Sequence, residues 1–231
     1  MNSNITTALQ PAARSTPSAD TSTHRTLTMT DQVRVAKRRR TMNNVFTITV
    51  GTGDNAEVFL VHDFLLKQSS KFFQTALKKE WREGQEKKVD LPEDKPEAFG
   101  VYTEWLLQGK IASGTGKPTE ELTSYDITLE HLLLADLYVL GEKLMDDIFC
   151  AEVMKAAAEL CLVEATDGGQ FFPGESAINT IFEGTREGSP IRAWLVDECW
   201  AHGRKNWFEP PYSEEYCAEF LLELVKKKMR R

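Results

Sequence analysis

The chain has 231 residues, 41% of them hydrophobic and 27% charged, with a formal net charge of −7. That is room for one ordinary domain with appendages, and enough apolar material for most of it to fold. No run reaches the roughly eighteen apolar residues of a membrane span, and the N-terminus lacks the compact apolar segment of a secretory signal.

The charge is unevenly placed. Residues 1–44 hold seven basic side chains against two acidic ones, a surplus of five, which leaves −12 for residues 45–231. An acidic body repels phosphates, so nucleic-acid binding is not expected over most of the fold. The four cysteines, Cys150, Cys161, Cys199 and Cys217, form no C-x-x-C pair. They read as reduced, buried thiols of a cytoplasmic or nuclear protein.

Residues 1–43 are rich in Ser, Thr, Asn, Pro and Ala, and such a composition cannot offset chain entropy by burial. A disordered tail is expected there. Its one feature is Lys37, Arg38, Arg39 and Arg40, a candidate import signal or a solvated charge run. In Val45 to Val50 the alternation of Phe46, Ile48 and Val50 with Thr47 and Thr49 predicts a half-buried strand. Turn residues 51–55 then predict a hairpin back into Val58, Phe59, Leu60 and Val61, an apolar run short enough for a strand buried on both faces.

His62 and Asp63 lead into a helix with Phe64, Leu65 and Leu66. Ser69 or Ser70 caps a second helix, which carries Phe72, Phe73, Ala76 and Leu77. A loop at 83–86 precedes a short strand at Val89, Asp90 and Leu91, ended by Pro92. Asp94 and Glu97 have the spacing of a capping box, and the helix they open aligns Phe99, Tyr102, Trp105 and Leu106 before Gly109.

A loop is expected over 112–127. Gly116 and Lys117 imitate a phosphate loop, but Pro118 stands where Ser or Thr must hold magnesium, and Ile111 stands where the first glycine belongs. Leu129, Leu132, Leu133 and Leu137 predict the next helix. Leu144, Ile148, Ala151, Met154 and Ala158 predict the apolar stripe of the one after it, widened by Met145, Phe149 and Val153. Helices over 175–183, 190–202 and 213–228 complete the chain, with Ser189-Pro190 as a start signal for the second of these.

Several of these runs share one resemblance. Val61-His62, Leu65-Leu66 and Ser70-Lys71-Phe72-Phe73 resemble the "V-H-x-x-L…S-x-F-F" signature of the BTB/POZ domain. Leu91-Pro92-Glu93-Asp94, Pro96-Glu97-Ala98-Phe99, Trp105-Leu106 and Gly109-Lys110-Ile111 are similar to a pattern of the short BTB proteins abundant in filamentous fungi. Ala135, Tyr138 and Leu144 extend the likeness.

The resemblance implies an α+β fold, a small sheet beginning with a β-hairpin and flanked by helices. It divides the chain into a basic tail (1–43), the BTB/POZ domain (44–162) and C-terminal accessory helices (163–231). It also implies a non-catalytic protein–protein interaction module without a cofactor, an adaptor for a cullin-type ubiquitin-ligase scaffold. The alternative is a nuclear regulatory protein that recruits transcriptional partners. The scaffold-contacting element of such adaptors, hydrophobic-x-Glu, maps to Tyr102 and Glu104, although Tyr102 also lies on the helix face assigned to the core. Polar, basic residues 26–43 stand where dimerising members carry an apolar arm, which leaves homodimerisation open.

No catalytic constellation accompanies this pattern. None of His24, His62, His131 and His202 has a Ser or Cys partner at a nucleophile spacing. Cys199 and His202 make half of a zinc motif without a second half, so no metal is expected. The adjacent acids Asp146 and Asp147 read as solvated charges.

Overall fold

The computed structural model describes residues 44–204, 207 and 216–229. The tail, with its candidate import signal Lys37, Arg38, Arg39 and Arg40, lies outside the described residues, as do residues 213–215 at the start of the last expected helix. The class is α+β: among the described residues, one three-stranded sheet and nine α-helices.

The sheet is built on its central strand. β1 (Val45–Val50) pairs antiparallel with β2 (Glu57–His62), Ile48 opposite Phe59, and parallel with β3 (Lys88–Leu91), Ile48 opposite Val89. The period-2 pattern puts Phe46, Ile48 and Val50 inside, beside Val61 of β2 and Val89 and Leu91 of β3. The expectation that β2 is buried on both faces is corrected. It is an edge strand, with Val58 63% and Leu60 71% exposed.

A short helical link carries β2 inward: α1 (Asp63–Leu66) buries Leu65 and Leu66. In α2 (Lys71–Ala76) the cap is Ser70, whose Oγ accepts from the Phe73 N–H at 3.1 Å. The expected loop at 83–86 is instead a helix, α3 (Arg82–Glu86), closed by Lys87 in the left-handed region.

Next comes α4 (Pro96–Gln108), which buries Phe99, Tyr102, Trp105 and Leu106 as the spacing predicts and ends at left-handed Gly109. The predicted capping box does not form. The helix begins at Pro96, so Lys95 rather than Asp94 is the cap residue and makes no side-chain bond to the helix, and the Asp94 carboxylate pairs with Lys143 at 2.7 Å. The box appears at the next helix, α5 (Ser124–Lys143), where the Thr123 hydroxyl and the Asp126 carboxylate each bond the other's backbone. The helix therefore begins four residues inside the stretch expected as loop. Lys117 Nζ lies 2.9 Å from both Asp126 oxygens, and this ion pair, with the Thr123 bonds, holds that carboxyl down to about 2.

Leu134, Leu137 and Leu140 make the buried face of α5, whereas the predicted Leu129 is exposed and Leu132 and Leu133 are half-buried. In α6 (Asp147–Leu160) two of the residues expected only to widen the stripe belong to it, since Phe149 and Val153 are buried with Cys150, Ala157 and Leu160, whereas Met145 precedes the helix and is exposed. Ile148, Ala151 and Ala158 face outward. A β-carbon on Gly141 would stand 2.7 Å from Cys150 Sγ and 2.9 Å from Phe149 Cδ1, so the bare backbone there lets α6 close onto α5.

Three further helices pack on this frame: α7 (Glu175–Gly184), α8 (Pro190–His202) and α9 (Ala218–Met229). α7 lies against α5, and α8 and α9 lie against α7. A β-carbon on Gly184 would stand 2.6 Å from Val139, so this approach too depends on glycine. Pro190 opens α8 as predicted, but the Ser189 hydroxyl does not cap it and instead lies 3.4 Å from the Tyr138 hydroxyl. Arg192 joins the three helices by bonding the carbonyls of Phe182 and Thr185 and pairing with Glu219 at 2.9 Å.

Candidate functional site

The two residues assigned to partner binding separate in the fold. Tyr102 is fully buried, because its position on α4 falls on the stripe with Phe99 and Trp105. Its ring packs edge-on against Phe149 at 4.9 Å, and its hydroxyl donates to Asp146 Oδ2 at 3.0 Å. A contact with a partner through Tyr102 is therefore corrected to a core role. Glu104, two positions on, is exposed. So is Leu107 (68%), one turn further along the same side.

Asp146 is the second correction. It is 0% exposed, not solvated. Its Oδ1 caps α6 by accepting from the Phe149 N–H at 3.1 Å, and its Oδ2 accepts from the Ser69 hydroxyl at 2.5 Å and from Tyr102. Three donors satisfy the buried carboxylate, which is what a charge in that place requires. The Ser70 hydroxyl donates to Leu144 O at 2.7 Å, and the Lys71 and Phe72 amides donate to Met145 O and Leu144 O at 3.3 Å. The serines before α2, the joint between α5 and α6, and Tyr102 of α4 thus form one polar lock inside an apolar core. Burial and the Asp146 charge both push the Tyr102 phenol far above its usual range, so it stays a donor. Asp147, by contrast, is exposed and pairs with Lys71 at 2.5 Å.

Burial pushes the thiols of Cys150, Cys161 and Cys199 up to about 12, which keeps them protonated. His131 is buried, with Nε2 at 3.1 Å from Phe171 O and Nδ1 without a partner among the described residues, and burial pushes it down to about 4. His62 stacks on Phe64 at the β2–α1 junction. Cys199 is buried, while the exposed His202 stacks on Phe172 with centroids 4.6 Å apart. Among the described residues no group of three His, Cys, Asp or Glu side chains is placed to hold a metal ion. No helix there is long and apolar enough to cross a membrane.

Two surface features stand out. The first is a cleft of about 630 Å³ whose lining includes Phe172, Trp207, Tyr216, His202, Arg204 and Glu175. Its rings offer stacking, but Arg204 faces the same space as Glu175, so it selects no one charge. The second is the outer edge of the sheet at β2. The Asp63 amide donates to Asn44 O, whereas the Thr47 and Gly51 amides donate to Lys87 O and Leu91 O. Odd-numbered residues of β1 therefore bond β3 and even-numbered ones bond β2. On β2, Glu57, Phe59 and Val61 bond β1, and the backbone groups of Val58, Leu60 and His62 point away from the sheet.

Sequence reading missed Leu107, Val58 and Leu60 as surface residues. Only for Leu107 was there a signal, since it falls off the stripe made by Phe99, Tyr102 and Leu106. No protein-family model matches the chain, and no curated protein matches it.

Proposed function

We propose that this chain is a non-catalytic protein–protein interaction module of the BTB/POZ type, an adaptor whose first partner is a cullin-type ubiquitin-ligase scaffold. One observation carries the reading. Of the residues through which the sequence resembles that domain, the apolar ones Val61, Leu65, Leu66, Phe73, Leu91, Phe99, Trp105, Leu106, Ala135, Tyr138 and Leu144 are buried, as is Ser70, whereas His62 and Phe72 are half-buried and Lys71, Pro92, Glu93, Glu97, Gly109 and Lys110 are exposed. A pattern whose apolar part is core supports a likeness of fold, and it leaves the surface free for partner choice.

On that surface Glu104 and Leu107 of α4 are the candidate contacts. They offer an acid and an aliphatic side chain on one exposed stripe, and Leu107 takes the apolar part that buried Tyr102 cannot play. A pull-down with a purified cullin N-terminal domain tests the proposal. The wild-type chain is expected to retain the scaffold, and Glu104→Lys and Leu107→Asp are expected to lose it while remaining folded. No retention by the wild type at tens of micromolar, the weak end for a specific interface, would retire the ligase-adaptor role.

A further inference from the structure

We propose that His131 is an acid-sensitive latch, a ring on α5 that holds residues 170–174, and with them the Phe172 wall of the cleft, only while it is neutral. His131 is 3% exposed, and its Nε2 lies 3.1 Å from Phe171 O. A carbonyl only accepts, so Nε2 carries the proton of the neutral ring and Nδ1 is bare. Nδ1 is buried and has no partner among the described residues. A second proton would therefore create a donor without an acceptor and a charge in an apolar place, both of which are costly.

The segment held in this way has few other ties. Among the described residues, the His131 bond is the only hydrogen bond between α5 and residues 170–174. Phe171 and Phe172 are half-buried, and the Phe172 ring lies 4.6 Å from His202 and 6.3 Å from Trp207. At its far end the segment enters α7, where the Ile178 amide donates to Gly174 O at 3.0 Å.

The charged groups of the surrounding elements do not offset the burial. Glu130 of α5 accepts from Ser113 at 2.6 Å, Asp167 accepts from Ser124, and Glu198 of α8 lies 3.6 Å from His202. Glu175 of α7 and Arg204 line the cleft. None of these, and no charged side chain of α4 or α6, shifts the titration of His131, which answers to burial and to the Phe171 carbonyl alone. Between pH 6.5 and about 4 the ring takes a proton only after leaving its site, so acid favours the open segment.

The latch does not depend on the adaptor role. Residue-resolved hydrogen exchange of the full chain, corrected for the intrinsic pH dependence of exchange, compares the Ile178 amide with that of Ile48 at the centre of the sheet. In the wild type Ile178 is expected to open more readily than Ile48, and its opening constant to rise about 30-fold from pH 7.5 to pH 5. His131→Gln keeps a donor for Phe171 O but does not titrate, so the rise should shrink to less than about threefold. His202→Gln, at the exposed ring that Phe172 stacks on, should leave the full rise in place. Equal opening constants for Ile178 and Ile48 would overturn the proposal, because the segment would then open only with the whole fold. So would the absence of the rise in the wild type, or a rise that His131→Gln leaves unchanged. The comparison of the two amides needs only the wild type, so it decides even where a variant does not fold.

Discussion

The Tyr102 hydroxyl and Asp146 Oδ2 lie 3.0 Å apart in a part of the molecule where neither residue is exposed to solvent. Through this bond α4 is tied to the cap of α6, and Ser69 brings the start of α2 to the same oxygen. Asp146→Ala is expected to destabilise the fold by on the order of 3 kcal/mol, because it removes a helix cap and the acceptor of the buried Tyr102 and half-buried Ser69 hydroxyls. Tyr102→Phe removes one donor while Ser69 and the Phe149 amide remain, and should cost about 1–2 kcal/mol. Urea unfolding of the two single variants and the double variant checks both values. The double should fall short of the sum, since the residues share one bond.

Close packing at Gly141 gives a second expectation. Gly141→Ala must displace Cys150 Sγ or Phe149, both buried, and should cost about 1–3 kcal/mol as an overpacked core. The same substitution at Gly114, in the exposed loop, meets only Glu130 Oε1 at 4.0 Å and should be close to neutral. Thermal melts of the two variants side by side make the comparison.

Acid sensitivity follows from His131. Burial depresses it to about 4 from an ordinary value of 6.5, so between those values the unfolded chain takes up a proton that the folded one refuses. Stability from this residue is complete above pH 6.5 and is lost as pH falls toward 4. The loss from pH 7.5 to pH 5 should be roughly 2 kcal/mol. His131→Gln keeps a side-chain donor for Phe171 O but does not titrate, and its stability should fall less over that interval. Equal slopes for the two proteins would show that His131 does not carry the effect.

Much of the fold was legible because it rests on periodicity. The Val45–Val50 alternation named the buried face of β1, and the α4 stripe named Phe99 and Trp105. What failed were uniform runs. Four apolar residues at 58–61 cannot reveal that one side of the strand has no neighbour among the described strands, since an edge is a property of the sheet order β2-β1-β3. In the same way α6 is apolar on several faces, so Ile148 and Phe149 could not be ranked without knowing where α5 lies. Capping was ambiguous for another reason: Asp94 and Thr123 both stand where a cap could form, and the first loses that role because α4 starts at Pro96 with Lys95 as its cap.

The candidate site was half legible. Glu104 is at the surface and Tyr102 is not, as the α4 stripe already warned. Asp146 was misjudged as one of an adjacent acidic pair. Its position three residues before Phe149, at the start of an apolar run, is the usual place of an N-cap and could have identified it.

The proposed binding of a protein scaffold through Glu104 and Leu107 is tested by calorimetric titration of the cullin N-terminal domain into the full-length chain. A dissociation constant in the tens of micromolar or tighter is expected for the wild type, and one at least about tenfold weaker for Glu104→Lys, with the two proteins melting at the same temperature. An absence of binding by the wild type, or one affinity shared by both proteins, would contradict it.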